Sequence, residues 1–143
     1  MSDAPASFFP QVVLVDENDR INFLLPFPPS ANTYWRHNRG HVHVSAKARA
    51  YRQEIRIRCR MPGPLTERLH ILLQMHHWRK SGWDIDNHVK VLLDALEKAG
   101  VYENDEQVDR LSIQRGQHTK KPGLVCVEIR ILKDCHRPAA PEH

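Results

Sequence analysis

Two aspartates stand one residue apart in the segment WDIDNHVK, residues 83–90. Asp84 and Asp86 follow a stretch with the period of a strand, and an amphipathic helical pattern begins directly after them. One carboxylate is enough to cap a helix, so the simplest alternative is that Asp86 caps the helix beside a solvated Asp84. A second negative charge two residues away repels the first unless something neutralises both. The pair therefore favours a site for a divalent cation.

Two further residues join this candidate catalytic group. Lys90 lies four residues after Asp86 on the same predicted helix face, so its ammonium group can touch a phosphate bound at the carboxylates. Asp105 follows the helix in ENDEQV, at the start of the next predicted strand, although an aspartate in that context is commonly a turn residue. Oxygen ligands without cysteine favour Mg²⁺, with Mn²⁺ as a substitute, over zinc. The ten histidines include no HExxH pair, which leaves zinc as the weaker alternative.

A concentrated positive segment precedes the acids along the chain. Residues 36–60 hold eight lysines and arginines against a single acid, Glu54, in a chain whose net charge is +4. Tyr34 and Trp35 stand directly before Arg36 and His37, a combination suited to phosphate contact and base stacking. A solvated helix face is the alternative interpretation. The candidate DNA-binding residues are Tyr34, Arg36, His37, Arg39, Lys47, Arg49, Arg52 and Arg56.

Length and composition indicate one domain of a globular protein. The 143 residues are 41% hydrophobic and 27% charged, and no apolar run approaches the roughly 18 residues that a membrane span needs. The first residues lack the basic region and the long apolar region of a secretory signal, so we expect a cytoplasmic protein. The three cysteines form neither an even set nor a CxxC pair, which argues against a disulfide framework and a cysteine zinc site.

The predicted secondary structure places the candidate residues at the ends of helices and strands. A short strand, RINFLLP, leads through the proline-rich turn PFPPS into a long loop or irregular hairpin over residues 30–45. A basic amphipathic helix with Ser45 as N-cap follows, then a strand over residues 69–78 and a helix that Gly100 ends. Two strands, VDRLSI and LVCVEIRIL, complete the order. This order predicts an α+β domain with a mixed β-sheet and two main helices packed on one face.

Domain boundaries follow from the same patterns. Residues 20–133 contain every predicted element and form the single domain. Residues 1–19 carry no clean period and are predicted to be a flexible N-terminal extension. Residues 134–143 are predicted to be a disordered tail.

Two segments of the chain match a known family. The segment DIDNHVKVLLDALEKAGVYENDEQV resembles the D-x-D-N-x-x-K-x-x-x-D-A-L signature, closing acid included, of the RusA family of Holliday junction resolvases. The segment LPFPPSANTYWRHNRGHVHVSAKARAYR resembles the N-terminal block of that family. Because the two blocks are independent, chance agreement is a poor explanation of both.

The resemblance implies a RusA-like fold and an activity. It implies a homodimeric, magnesium-dependent endodeoxyribonuclease that binds four-way DNA junctions and nicks two opposing strands symmetrically in recombination and repair, without a small-molecule cofactor or a membrane. By motif position it assigns the metal-binding and catalytic acids to Asp84, Asp86 and Asp105, and the catalytic lysine to Lys90. This chain departs from the family pattern at Trp83, where many members carry a basic residue, and at Asn104, where many carry an acid.

Two alternatives to junction resolution remain open at this point. One is a DNA-binding protein without catalysis, in which the acids only cap and repel. Negative charge on a DNA-binding face gains nothing for binding alone, so the acids favour hydrolysis over this alternative. The other is a less selective nuclease that acts on flaps or single strands, which the sequence does not separate from a junction resolvase.

Overall fold

The computed structural model describes residues 15–38, 41–133 and 139–141, with side chains described outside residues 33–43. Both main helices and all four strands predicted from the sequence are present. The elements are β1 (Arg20–Pro26), α1 (Ala31–Tyr34), β2 (Trp35–Asn38), β3 (His41–Val44), α2 (Ala46–Arg58), β4 (Leu69–His76), α3 (Val89–Lys98), β5 (Val108–Arg115) and β6 (Leu124–Ile131).

Four strands form the main sheet in the order β1, β6, β4, β5. β6 pairs antiparallel with β1 and with β4, whereas β4 and β5 run parallel. A parallel pair needs a crossover connection, and the segment that contains α3 supplies it. The sheet is therefore mixed, and the α+β prediction is confirmed. β2 and β3 form a separate antiparallel hairpin.

The parallel pair defines two opposite edges of the sheet. β4 and β5 both start at one edge, where Leu69 lies opposite Val108, and this edge is called the amino edge. Both end at the other edge, where Met75 lies opposite Arg115, and this edge is called the carboxyl edge. A residue just before β5 therefore lies beside the start of β4, and a residue just after β4 lies beside the end of β5.

The hydrophobic core lies between the sheet and the two longer helices. Alternate residues of β4 are buried, as the period of two predicted. α2 buries the predicted stripe of Ala48, Tyr51 and Ile55, and it begins at Ser45, whose hydroxyl accepts a hydrogen bond from the Ala48 N–H over 3.2 Å. Full burial of one aliphatic side chain contributes about 1.5–3 kcal/mol, so this stripe fixes α2 on the sheet.

An ion pair joins the two helices across the top of the core. Arg52 of α2 donates from Nε and Nη2 to Asp94 Oδ2 of α3, over 3.1 and 2.7 Å. Both side chains are about three-quarters buried. Tyr51, the residue before this arginine, donates its hydroxyl to the Pro26 carbonyl over 2.8 Å and so ties α2 to the end of β1.

Helix α3 begins later than the sequence predicted. Ile85–His88 form a 3₁₀ turn, and the regular α-helix starts at Val89. Asp84 is the N-cap of this turn, but its side chain makes no capping hydrogen bond. The predicted end is confirmed, because Gly100 has a φ of 81°, a left-handed conformation that glycine adopts without strain.

The segments outside the main sheet are short. Residues 30–45, predicted as a loop or irregular hairpin, contain α1 and the hairpin of β2 and β3. Asp19 is attached to the sheet, because its carbonyl accepts a hydrogen bond from the Ile131 N–H over 2.9 Å. The rest of the predicted extension and tail, at residues 1–14, 134–138 and 142–143, lies outside the described residues. In the described part of the chain, no helix has the length and apolar character to cross a membrane.

Candidate active site at the carboxyl edge

The two neighbouring aspartates lie beyond the end of β4, at the carboxyl edge. Asp84 and Asp86 are both exposed and flank Ile85 in the 3₁₀ turn that leads into α3. Neither carboxylate forms an ion pair or hydrogen bond with another described side chain. A capping role would have required such a bond to a backbone N–H. The two charges are therefore available to a ligand from solution.

Lys90 lies in the first turn of α3, four residues after Asp86. It is exposed and has no carboxylate partner among the described residues. The acid four residues further along, Asp94, contacts Arg52 of α2 instead. The Lys90 ammonium group is thus accessible from solution, and its contact with a phosphate at the aspartates remains a prediction.

A buried histidine anchors the turn that carries the aspartates. The His88 ring lies 4.8 Å from that of Phe27, centroid to centroid, and its Nδ1 is 2.9 Å from the Pro28 carbonyl oxygen. Since a carbonyl only accepts, His88 Nδ1 carries the proton of that bond. Burial lowers the pKa of His88, so the ring stays neutral. The proline-rich segment after β1 and the turn are thereby held together. The sequence analysis missed this role of His88.

An aromatic stack supports the loop between β4 and the turn. The His77 ring lies between two indoles, 4.0 Å from Trp78 with an interplanar angle of 21° and 4.8 Å from Trp83 with an angle of 13°. The Arg115 guanidinium group covers the Trp83 ring at 4.2 Å and donates to the Trp83 carbonyl over 2.9 Å. Burial lowers the pKa of His77, and the nearby His88 lowers it further.

An open cleft of about 650 Å³ lies between this loop, the proline-rich segment and α2. Asp84 and Asn87 stand on its wall together with the aromatic rings, and Lys47 of α2 lines the opposite side. Its volume is within the range of ligand sites in proteins. Asp84 and the first turn of α2 therefore border the same cleft.

The third predicted acid lies at the amino edge. Asp105 is the first residue of a short 3₁₀ turn before β5, and its N–H donates to Glu97 Oε1 over 2.8 Å. Asn104 caps this turn through its side-chain oxygen, which accepts from the Glu106 N–H over 2.8 Å. Gln107 completes the capping box. Asn104 thus has a structural role in holding Asp105.

The distance between the two edges decides whether the three aspartates meet. Strands rise about 3.3 Å per residue, so the eight residues of β5 separate the edges by roughly 25 Å. A divalent ion needs its ligand oxygens within about 2.6 Å. Within the described ranges, no group of three His, Cys, Asp or Glu side chains is placed to hold an ion. One chain therefore brings Asp84 and Asp86 together and leaves Asp105 apart.

The predicted DNA-binding residues are placed less uniformly. Lys47 and Arg49 are exposed in the first turn of α2, where Arg49 also donates to the Val44 carbonyl over 2.6 Å. Arg52 contacts Asp94 and so has a structural partner. Arg56 is exposed towards the end of α2. The backbone of Tyr34, Arg36 and His37 is in α1 and β2, but their side chains, and all of Arg39, lie outside what the structure describes.

The site also contains residues that sequence reasoning did not assign. Arg115 lies at the end of β5 and contacts Trp83, the residue before Asp84. His77 and Trp78 belong to the loop after β4, and the His77 ring stacks with both indoles. The only signal in the sequence was the unusual cluster HHW at the end of a strand. The contact with Arg115 depends on the parallel pairing of β4 and β5, which residue spacing alone did not establish.

Comparisons with known proteins agree with these observations. The family described as Endodeoxyribonuclease RusA matches residues 26–131. The crossover junction endodeoxyribonuclease rusA of Enterobacteria phage HK97 is 38% identical over 106 residues, which cover 71% of this chain and 85% of that protein. The crossover junction endodeoxyribonuclease RusA of Escherichia coli K12 is 42% identical over 87 residues, 59% of this chain and 72% of that protein. This chain belongs to the RusA endodeoxyribonuclease family.

Proposed function

We propose that this protein is a metal-dependent, structure-selective endodeoxyribonuclease that resolves four-way DNA junctions by paired, symmetric nicks. The observation that carries the proposal is the exposed pair Asp84 and Asp86, which has no partner among the described residues and lies beside Lys90. A protein that only bound DNA would lose affinity by placing two bare carboxylates there. The relatives from phage HK97 and Escherichia coli carry the name of crossover junction endodeoxyribonucleases.

The donor set fits a hard divalent cation. Asp84 and Asp86 offer carboxylate oxygens with no thiol in the same turn, which favours Mg²⁺, with Mn²⁺ as its substitute. Asp105 is the third proposed ligand. When bound, the ion supplies a hydroxide equivalent at neutral pH and stabilises negative charge on the phosphate oxygens. The two carboxylates would hold the ion beside the cleft that Asp84 lines.

Lys90 has the proposed role of an electrostatic catalyst. Lys90 is exposed in the first turn of α3, four residues after the exposed Asp86. Negative charge builds up on the phosphate oxygens in the transition state, and a fixed cation stabilises that charge without rearrangement. Exposed residues of α2, above all Lys47, would hold neighbouring DNA phosphates across the cleft.

Because Asp105 lies far from Asp84 and Asp86 within one chain, the proposed site takes its Asp105 from a second copy of the chain. Among the described strands, β5 is at the edge of the sheet and pairs only with β4, and its Leu111 is 41% exposed. If β5 paired antiparallel with β5 of a second copy, the start of one strand would lie beside the end of the other. Asp105 of the second copy would then approach Asp84 and Asp86 of the first. A twofold axis would generate two such sites, matching two opposing strands of a junction.

A subunit-mixing experiment tests this proposal. Asp86→Asn and Asp105→Asn homodimers should each fail to cut a synthetic four-way junction in Mg²⁺, while both still bind it. After the two variants are mixed and allowed to exchange subunits, half of the sites in hybrid dimers contain both substitutions and the other half contain neither. Nicking of one strand should therefore reappear on a denaturing gel.

The outcomes separate the parts of the proposal. If the three aspartates acted within one chain, every site in the hybrid would lack one acid and no nicking would return. If the wild-type protein failed to cut junctions, or cut flaps and single strands as fast, junction resolution itself would be wrong. If Asp86→Asn cut at the wild-type rate, the metal assignment would be wrong.

A further inference from the structure

We infer that the carboxyl edge contains a second anion site, in which Arg115 binds a backbone phosphate of the DNA next to the one that is cut. The inference rests on the proposed function, because it concerns how the same substrate is held. It adds Arg115 of β5, and Arg79 and Lys80 of the loop after β4, to the proposed DNA-binding surface. No pattern in the sequence indicated these residues.

The position of Arg115 is fixed from two sides. Its guanidinium group lies flat over the Trp83 ring at 4.2 Å, and Nη2 donates to the Trp83 carbonyl over 2.9 Å. A guanidinium group has five N–H donors, so most of them still point elsewhere. The group makes no ion pair with a carboxylate of the described chain. Arg115 is thus oriented in advance with donors to spare.

The support under Arg115 is itself rigid. Trp83 stacks on His77, which stacks on Trp78, so that three rings and one guanidinium group form a continuous column. His77 is 4% exposed, and its Nδ1 accepts a hydrogen bond from the Arg79 N–H over 2.9 Å. Each stacked pair contributes about 0.5–1.5 kcal/mol beyond its buried area. A preoriented cation binds an anion with a smaller loss of conformational entropy.

More positive groups surround the same point. Arg79, Lys80 and Arg115 line a small hollow of about 110 Å³ over Trp83 and Gly116, and His118 borders it as well. None of these four side chains has an acidic partner among the described residues. Cations gathered without acids repel one another, and an anion between them removes that repulsion. Two oxygens of one phosphate also match the paired N–H donors of a guanidinium group better than a single carbonyl oxygen does.

The hollow is directly continuous with the proposed active site. Trp83, which carries Arg115, is the residue before Asp84, and it lines both this hollow and the larger cleft. A strand whose phosphate is held at Asp84 and Asp86 would therefore pass its neighbouring phosphate over Trp83. Arg115 is proposed as a positioning residue, which sets the register of the strand at the acids.

Single-phosphate neutralisation tests this inference. A methylphosphonate is placed at each position, one at a time, within three nucleotides of the cut site of a four-way junction, and binding is measured by fluorescence anisotropy in EDTA. At one position the wild-type protein should lose about tenfold in affinity, which corresponds to one charge-assisted hydrogen-bonded contact. The Arg115→Gln variant should bind the unmodified junction about tenfold more weakly than the wild-type protein does. A methylphosphonate at that same position should then reduce the affinity of the variant by less than a further twofold.

The matched control is an Arg→Gln substitution that removes the same charge far from Arg115. Arg60→Gln removes an exposed arginine beyond α2 and should keep the wild-type methylphosphonate profile. Arg115→Lys should restore part of the affinity but not the full position-specific loss, since lysine lacks the planar fork. Equal sensitivity of Arg115→Gln and wild type at every position would overturn the inference while leaving junction cutting intact. Failure of the wild-type protein to bind or cut junctions would instead overturn the proposed function.

Discussion

The two edges of the sheet hold their aspartates in opposite ways. At the carboxyl edge, rings and apolar contacts fix the backbone, and Asp84 and Asp86 are left exposed without a described partner. At the amino edge, Asp105 is half-buried in a network of backbone hydrogen bonds that includes Asn104, Gln107 and Glu97. The carboxyl edge leaves two carboxylates accessible from solution. The amino edge holds one carboxylate in a fixed place.

This difference accounts for the position of the proposed composite site. Asp105 can act in the site of a second copy only if its carboxylate is held in place. The capping box around Asp105 provides that rigidity. The exposed pair needs no such network, because a bound cation would fix the two carboxylates. The comparison predicts that replacing an aspartate of the exposed pair changes activity without changing stability, whereas replacing a residue that holds Asp105 in place changes stability.

The largest expected effect is the loss of cutting in Asp86→Asn. Removing one negative ligand from the exposed pair should lower the junction cleavage rate at least about 1000-fold, since a metal site stabilises the transition state by several kcal/mol. Its urea midpoint should stay at the wild-type value, because Asp86 has no described partner to lose. Single-turnover cleavage and urea unfolding measure the two quantities.

A control acid far from the site makes this result specific. Glu17→Gln removes an exposed carboxylate in the turn before β1 and should leave cleavage unchanged. A large loss of stability in Asp86→Asn would contradict the contrast between the edges, whatever its cleavage rate.

The second prediction concerns stability at the amino edge. Gln107 is 6% exposed and donates from Nε2 to the carbonyls of Leu65 and Glu67, over 2.9 and 2.8 Å. Its Oε1 accepts from the N–H groups of Glu103 and Asn104, each over 2.9 Å. Gln107→Leu keeps the size of the side chain but leaves these groups without partners. We expect a loss of about 3 kcal/mol in the free energy of unfolding, measured by urea denaturation.

The matched change on the surface should have almost no effect. Gln53 is exposed on α2, and Gln53→Leu should shift the free energy of unfolding by less than about 0.5 kcal/mol. If Gln107→Leu were equally mild, the amino edge would not be the rigid partner that the comparison requires.

The elements were predictable from the sequence because each depends on local patterns. The alternation in β4, the stripe on α2, the cap at Ser45 and the stop at Gly100 are all set by neighbours along the chain. The same holds for the availability of Asp84 and Asp86, which followed from repulsion between close charges. Local rules therefore predicted the α+β architecture and the exposure of the aspartate pair.

The arrangement of the strands was not predictable in this way. Whether Asp105 meets the other acids depends on which ends of β4 and β5 coincide, and the parallel pairing places it at the far edge. The contact between Arg115 and Trp83 depends on the same pairing. Both arrangements depend on how distant segments of the chain pair, and no periodicity within one element specifies them.

The smallest expected effect is a change in the pH dependence of stability that originates mainly at the carboxyl edge. Burial lowers the pKa of His77 below its ordinary value, and the neighbouring His88, Arg79 and Arg115 lower it further. As the pH falls through about 6.5, the unfolded chain takes up a proton that the folded His77 resists, so the folded state loses stability. The stabilisation is complete above that pH and decreases below it.

Replacing His77 should weaken this dependence. In His77→Asn, the amide oxygen can still accept from the Arg79 N–H, but the side chain no longer titrates. We expect a lower melting temperature than wild type at pH 8, from the lost stacking, and a smaller further decrease between pH 7.5 and 5.5. Gln117→Asn changes an exposed side chain of the same edge that does not titrate, and should keep the wild-type slope. If His77→Asn kept that slope too, the buried ring would not be the group that couples acid to the stability of this edge.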